Sequence, residues 1–120
     1  MATVTMWHNP RCSTSRTTLS LLDQHGLQPE IVEYLKTPPS ADEIKAVLKK
    51  LHMKPREFIR KKEPLYKELS LDKESVTDDQ LVAAMAANPV LIERPVVFYG
   101  ARAALGRPPE NVLDLFTDLI

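Results

Sequence analysis

The order of elements legible in this chain predicts an α/β fold: a mixed four-stranded sheet with a helical insert between its second and third strands. Three observations carry that expectation. A β-prone run, Val4-Thr5-Met6-Trp7, is followed across a short turn by a helix-forming stretch that stops at Gly26. A second strand-like run, Pro29 to Leu35, comes next at the spacing of a strand-helix-strand unit, which implies a parallel pair with a right-handed crossover. Much later, the β-branched run after Pro95 is followed by Gly100 and by Ala103 to Leu105, the pattern of an antiparallel hairpin.

The first helix is expected over Ser13 to His25, with Leu19, Leu21 and Leu22 on its apolar side. Thr37-Pro38-Pro39 breaks the chain after the second strand. Ser40-Ala41-Asp42-Glu43 is a capping box, opening a helix whose Ile44, Val47, Leu48 and Leu51 fall at helical spacing and which ends near His52. From Lys54 to Ser75 the pattern is less regular, with Phe58, Ile59, Leu65, Tyr66 and Leu69 suggesting one or two short helices broken at Pro64. A second capping box, Thr77-Asp78-Asp79-Gln80, opens a helix with Leu81, Ala84 and Met85 on one face, ended by Asn88-Pro89. Met85 reads as core. Gly106-Arg107-Pro108-Pro109 leads into a last helix that directs Val112, Leu113, Phe116 and Leu119 inward. This is the order of a thioredoxin-like sandwich. In such a fold the proline opening the third strand faces the loop after the first, and the Arg94–Pro95 bond is expected to be cis, a state adopted by only about 5–6% of X-Pro bonds.

At 120 residues, with no repeats or linkers, the chain is expected to form one domain over residues 1–120. Its 16 basic and 16 acidic side chains balance, which argues against nucleic acid or a membrane surface as partner. One cysteine cannot close an internal disulfide. Nothing resembles a signal peptide or an apolar run of about 18 residues, so the cytoplasm is the expected address. His8, Cys12, His25 and His52 lack the clustered spacing of a zinc site, and no metal is expected.

Cys12 is the residue on which the chemistry turns. A lone cysteine is ordinarily a small buried hydrophobe. Here, however, it stands between strand and helix, where free N–H groups and the positive end of the helix favour an anion, and His8, Arg11 and Arg16 lie within four residues of it. An unperturbed thiol with a pKa of about 8.5 is only about 3% thiolate at pH 7, and lowering that pKa to about 6.5 takes roughly 2.7 kcal/mol. A helix terminus supplies about 0.3–1 kcal/mol. The remainder must come from hydrogen bonds of Ser15 or the backbone, or from charge on His8 and the arginines. The run Arg60-Lys61-Lys62 reads, by itself, as a solvated face.

With these residues laid out, the chain resembles the arsenate reductase (ArsC) family, of the glutathione- and glutaredoxin-coupled type. The resemblance covers nearly the whole length. It rests on His8-Asn9-Pro10-x-Cys12-x-x-Ser15-Arg16, Tyr34-Leu35 before Thr37-Pro38-Pro39, Arg60-Lys61, Thr77 to Leu81, Glu93-Arg94-Pro95-Val96-Val97 and Gly106-Arg107-Pro108-Pro109. It implies that Cys12 is the nucleophile toward arsenate, that Arg60, Arg94 and Arg107 bind the oxyanion, that His8 and Ser15 help keep Cys12 ionised, and that Asn9 and Arg16 shape the loop. Planar guanidinium forks suit a tetrahedral oxyanion and offset the charge of an approaching thiolate. Arg11 and Arg102 read as surface charge.

Reduction of As(V) to As(III) takes two electrons, and a single cysteine has no resolving partner in the chain. An outside thiol must complete the cycle; the resemblance names glutathione as co-substrate and glutaredoxin as partner, with no bound cofactor. Arg11 and Ser13 beside the cysteine, and an end at Ile120 without a longer C-terminal extension, resemble a short subgroup, the YfgD-like proteins. Two other readings remain. A Spx-like redox-sensing regulator would bind a protein partner and has no need of the three arginines. A monothiol glutathione-dependent oxidoreductase would use Cys12-Ser13-Thr14-Ser15 without an oxyanion pocket.

Overall fold

The computed structural model describes residues 3–117, which divide into two compact units, residues 3–37 with 94–117 and residues 38–93. The first is the thioredoxin-like sheet unit. Its four strands, β1 (Val4–Trp7), β2 (Glu30–Val32), β3 (Val96–Tyr99) and β4 (Arg102–Leu105), lie in the order β2-β1-β3-β4. β1 and β2 are parallel, joined through α1 (Ser13–Gln24), while β3 is antiparallel to both β1 and β4. The strand-helix-strand unit and the hairpin are therefore as expected.

Register decides which side chains meet. Met6 pairs with Val97 and Val97 with Ala104, so these share one face and join Leu22 of α1 with Val112, Leu115 and Phe116 in the unit's core. Trp7 pairs with Val96 and points to the other face, where its ring meets Phe98 edge-on at 5.5 Å and lies 6.3 Å from that of Tyr34. Gly26 ends the first helix with φ +73°, a left-handed turn that glycine takes without steric cost, and Leu27 N–H returns to the Leu22 carbonyl at 2.9 Å.

Two sequence expectations are corrected here. The second strand is shorter than the Pro29 to Leu35 run, because the N–H groups of Lys36 and Thr37 both turn back to the Glu33 carbonyl, placing Tyr34 and Leu35 in a turn. The last helix, Pro109–Phe116, is a 3-10 helix. Three residues per turn align Val112 with Leu115, so Leu115 is buried and Leu113 is half-buried, opposite to a 3.6-residue reading. Leu119 lies outside the described residues. The Arg94–Pro95 bond is cis as expected; Arg107–Pro108 is cis as well, which the sequence did not suggest.

The second unit is helical: α2 (Ala41–Leu51), α3 (Pro55–Phe58), α4 (Pro64–Glu68), α5 (Asp78–Ala87) and a 3-10 turn, Pro89–Leu91. Both capping boxes form. Ser40 and Glu43 exchange hydrogen bonds at 3.1 Å each, and Thr77 and Gln80 do so at 2.8 and 3.2 Å. Helix α5 packs against both α2 and α3, so its buried stripe is wider than expected: Val82 joins Leu81 and Met85, and Ala84 is half-buried. The irregular stretch after α4 combines backbone turns, such as Leu71 N–H to the Tyr66 carbonyl at 2.9 Å, with one organising side chain. Arg56 donates to the Tyr66 hydroxyl and to the carbonyls of Leu71, Lys73 and Val76.

Candidate active site

In the sheet unit, register brings distant sequence to one end of the sheet. Trp7 closes β1, Val96 opens β3 and Leu105 closes β4, and these three residues pair side by side. The segments just beyond them, residues 8–12, Arg94-Pro95 and Gly106-Arg107, therefore leave the sheet at the same edge. Cys12 is the N-cap of α1, with an extended backbone at φ −92° and ψ 123°.

The cysteine loop is tied to itself. Cys12 N–H donates to the Asn9 carbonyl at 3.0 Å, Arg11 N–H to Asn9 Oδ1 at 3.0 Å, and the Arg16 guanidinium to the Pro10 carbonyl at 3.0 Å. Beneath it, Ser15 Oγ lies 2.7 Å from His8 Nδ1 and accepts from Asn9 N–H at 3.1 Å. Ser15 and His8 are both buried. Burial pushes the His8 pKa down and Arg16 adds to this, against a smaller upward pull from Glu33, so the imidazole is held toward its neutral form. The Ser15 hydroxyl thus joins the His8 ring to the Asn9 backbone N–H.

Around the half-buried sulfur the balance runs the other way. Burial, the largest single influence, pushes the Cys12 thiol up. The backbone N–H of Ser15, the charge and side-chain hydrogen bond of Arg94 and the backbone N–H of Thr14 together outweigh it, and the thiol stands below its ordinary value. Arg107 Nη2 lies 4.0 Å from Sγ, at the outer limit of an N–H···S contact, while its Nε donates to the Arg94 carbonyl at 2.8 Å. One thiol thus faces two guanidinium groups, one of them exposed and able to meet an oxyanion from solvent.

Of the residues singled out from sequence, Cys12, His8, Ser15, Arg94 and Arg107 belong to this one unit and to a single connected group. Ser15 reaches the sulfur through its backbone N–H, and its hydroxyl serves His8 instead. His8 is held toward its neutral form and is not among the groups that lower the thiol. Arg60 belongs to the helical unit, where it pairs with Glu63 at 3.1 Å and with Glu93 at 3.7 Å. Arg11 is exposed, and Arg102 ties β4 to the last helix through the Asp114 carbonyl at 3.3 Å. Backbone donors at the helix start were expected, but that Thr14 would supply one has no side-chain signature. Among the described residues no group of three or more His, Cys, Asp or Glu could hold a metal ion, and no helix is long and apolar enough to cross a membrane.

Comparison with known proteins places this arrangement among relatives. The model of the ArsC family matches residues 7–115. The protein YfgD of Escherichia coli is 50% identical over 113 residues, covering 93% of this chain and 95% of its own length. An arsenate reductase of Neisseria meningitidis serogroup A is 46% identical over 113 residues, covering 93% and 97%. A solved arsenate reductase from Vibrio cholerae superposes with a TM-score of 0.93 at 47% identity, covering 95% of this chain and 98% of that one.

Proposed function

The chain belongs to the ArsC family, and from that premise we propose that it is an arsenate reductase in which Cys12 is the nucleophile and external glutathione supplies the electrons. The observation that carries the reading is the sulfur itself: an N-cap thiol held below its ordinary pKa by two backbone amides and Arg94, with Arg107 at 4.0 Å. A thiolate and an oxyanion repel each other, and two cations at the meeting point offset that repulsion.

In the proposed sequence the Cys12 thiolate attacks arsenic, forming an S–As bond while one oxygen leaves as hydroxide and is protonated by solvent. Arg94 and Arg107 hold the remaining oxygens. Glutathione thiolate then attacks the Cys12 sulfur; the S–As electron pair stays on arsenic, which leaves as As(III), and Cys12 is left in a mixed disulfide with glutathione. A glutaredoxin thiol exchanges with that disulfide and restores the thiolate. Such a cycle needs a reducing compartment, which is why the reading takes the cytoplasm as the address and arsenic detoxification as the setting. Arg60 is carried as a third oxyanion contact by resemblance and by its residue type.

The test is arsenate-dependent NADPH oxidation coupled through glutathione, glutaredoxin and glutathione reductase, comparing the native protein with Cys12→Ser and Arg94→Ala. Turnover that disappears in the first and falls steeply in the second is expected. A Cys12→Ser protein with full activity refutes the nucleophile, and a native protein that is inactive yet alkylates rapidly near neutral pH refutes arsenate as substrate.

A further inference from the structure

We propose that Gly106 is the positioning residue that holds Arg107 within reach of the Cys12 sulfur; the proposal rests on the reading of Cys12 as the nucleophile. Gly106 follows the last residue of β4 and is buried, with its N–H donating to the Pro95 carbonyl at 2.9 Å. Its backbone is not left-handed, unlike Gly26 and Gly100, so space and not torsion reserves the position for glycine. A Cβ there would stand 2.7 Å from Pro95 Cγ, 2.8 Å from Thr18 Oγ1 and 3.2 Å from Pro95 Cδ.

Neither neighbour is a flexible tip that can step aside. The Pro95 ring is closed onto the backbone that opens β3, and Thr18 is buried with its hydroxyl donating to the Thr14 carbonyl at 2.9 Å. Bringing the tightest contact from 2.7 Å to an ordinary 3.4 Å needs a shift of about 0.7 Å. The residue that moves with it is Arg107. Its Nε bond to the Arg94 carbonyl, now 2.8 Å, would reach the limit of a hydrogen bond, and its Nη2 would leave the 4.0 Å contact with Sγ. Pro95 adjoins Arg94, and Thr18 lies on the helix capped by Cys12. The gap that the absent side chain keeps closed is therefore bounded by the segments that carry sulfur and guanidinium.

The experiment compares Gly106→Ala, Arg107→Ala and the double variant in two readouts: arsenate KM and kcat in the coupled assay, and the ultraviolet titration of the thiolate, which reports Cys12 alone because the chain has one cysteine. Gly106→Ala is expected to raise KM about tenfold with a smaller change in kcat, and to move the titration up by about half a pH unit. In the Arg107→Ala background the same substitution is expected to add less than about twofold. If Gly106→Ala does not fold, Gly106→Ala with Thr18→Ala, which clears the hydroxyl from the same space, carries both readouts. Lost stability with KM and titration unchanged overturns the proposal, as does an equal effect with and without Arg107. A titration that responds as described in a protein with no arsenate turnover supports the positioning role and sinks the substrate.

Discussion

Replacing Ser15 by alanine separates two roles that one residue holds. The hydroxyl is 2.7 Å from His8 Nδ1 and accepts from Asn9 N–H at 3.1 Å, whereas the sulfur is reached by the Ser15 backbone N–H, which alanine retains. Truncation leaves two polar groups without that partner, each costing about 1–3 kcal/mol if buried. His8 is buried and takes the larger cost; Asn9 is half-buried and takes the smaller. The expected loss is about 2–3 kcal/mol, a large share of the roughly 5–15 kcal/mol that a domain commands. The thiol, in contrast, keeps its Ser15 and Thr14 amides and its arginine. Urea unfolding should therefore show a clear drop in midpoint, while the pH profile of iodoacetamide alkylation stays within about half a pH unit of the native one. A variant as stable as the native protein, or one whose alkylation profile moves to that of an ordinary thiol, would refute the division of roles.

Other outcomes follow from the same geometry. Arg94→Ala removes both a charge and a hydrogen bond from the thiolate, and its alkylation rate near neutral pH should fall about tenfold or more; an unchanged rate contradicts Arg94 as the stabilising cation. Because the Cys12 pKa is depressed in the folded chain, the unfolded chain binds more protons between that value and the ordinary one. Native stability relative to Cys12→Ser should thus rise with pH across this window, level off above it, and be lost as pH falls through the native value, as followed by denaturant midpoints. Arg60→Ala should raise arsenate KM about tenfold if Arg60 contacts the oxyanion, and a KM equal to the native one removes it from the site. Thr77→Ala should cost about 1 kcal/mol in thermal unfolding through loss of the N-cap on α5, with thiol reactivity unchanged.

Much of this was legible because the signals are local. Val4–Trp7, the turn at Cys12, the stop at Gly26 and the Ser40 and Thr77 caps each act within a few residues, and each stands where the sequence puts it. Where signals depend on distant partners, sequence fell short. The Pro108-Pro109 pair announced a helix start but not a three-residue period, and nothing near Arg56 indicated that its guanidinium would organise residues up to Val76. In the site, side-chain chemistry pointed to Cys12 and His8, and Arg94 and Arg107 came only with the family resemblance. The amide of Thr14, the hydroxyl of Ser15 turned away toward His8, and the space left by Gly106 depend on backbone placement that no residue type encodes.

The pairing of β1 with β3 joins segments about 90 residues apart in the chain, and both arginines that face the sulfur arrive only with β3 and β4. Contacts so distant along the chain form late, because their loop closure must be met before they are rewarded. During synthesis, Cys12 leaves the ribosome well before Arg94 and Arg107 exist. Until the sheet pairs, the thiol has only the amides at the start of α1 to lower it, and Arg94 and Arg107 are added when β3 and β4 take their places. Alkylation by a small probe is therefore expected to quicken as β3 pairs with β1, which makes the single cysteine a reporter of that long-range step.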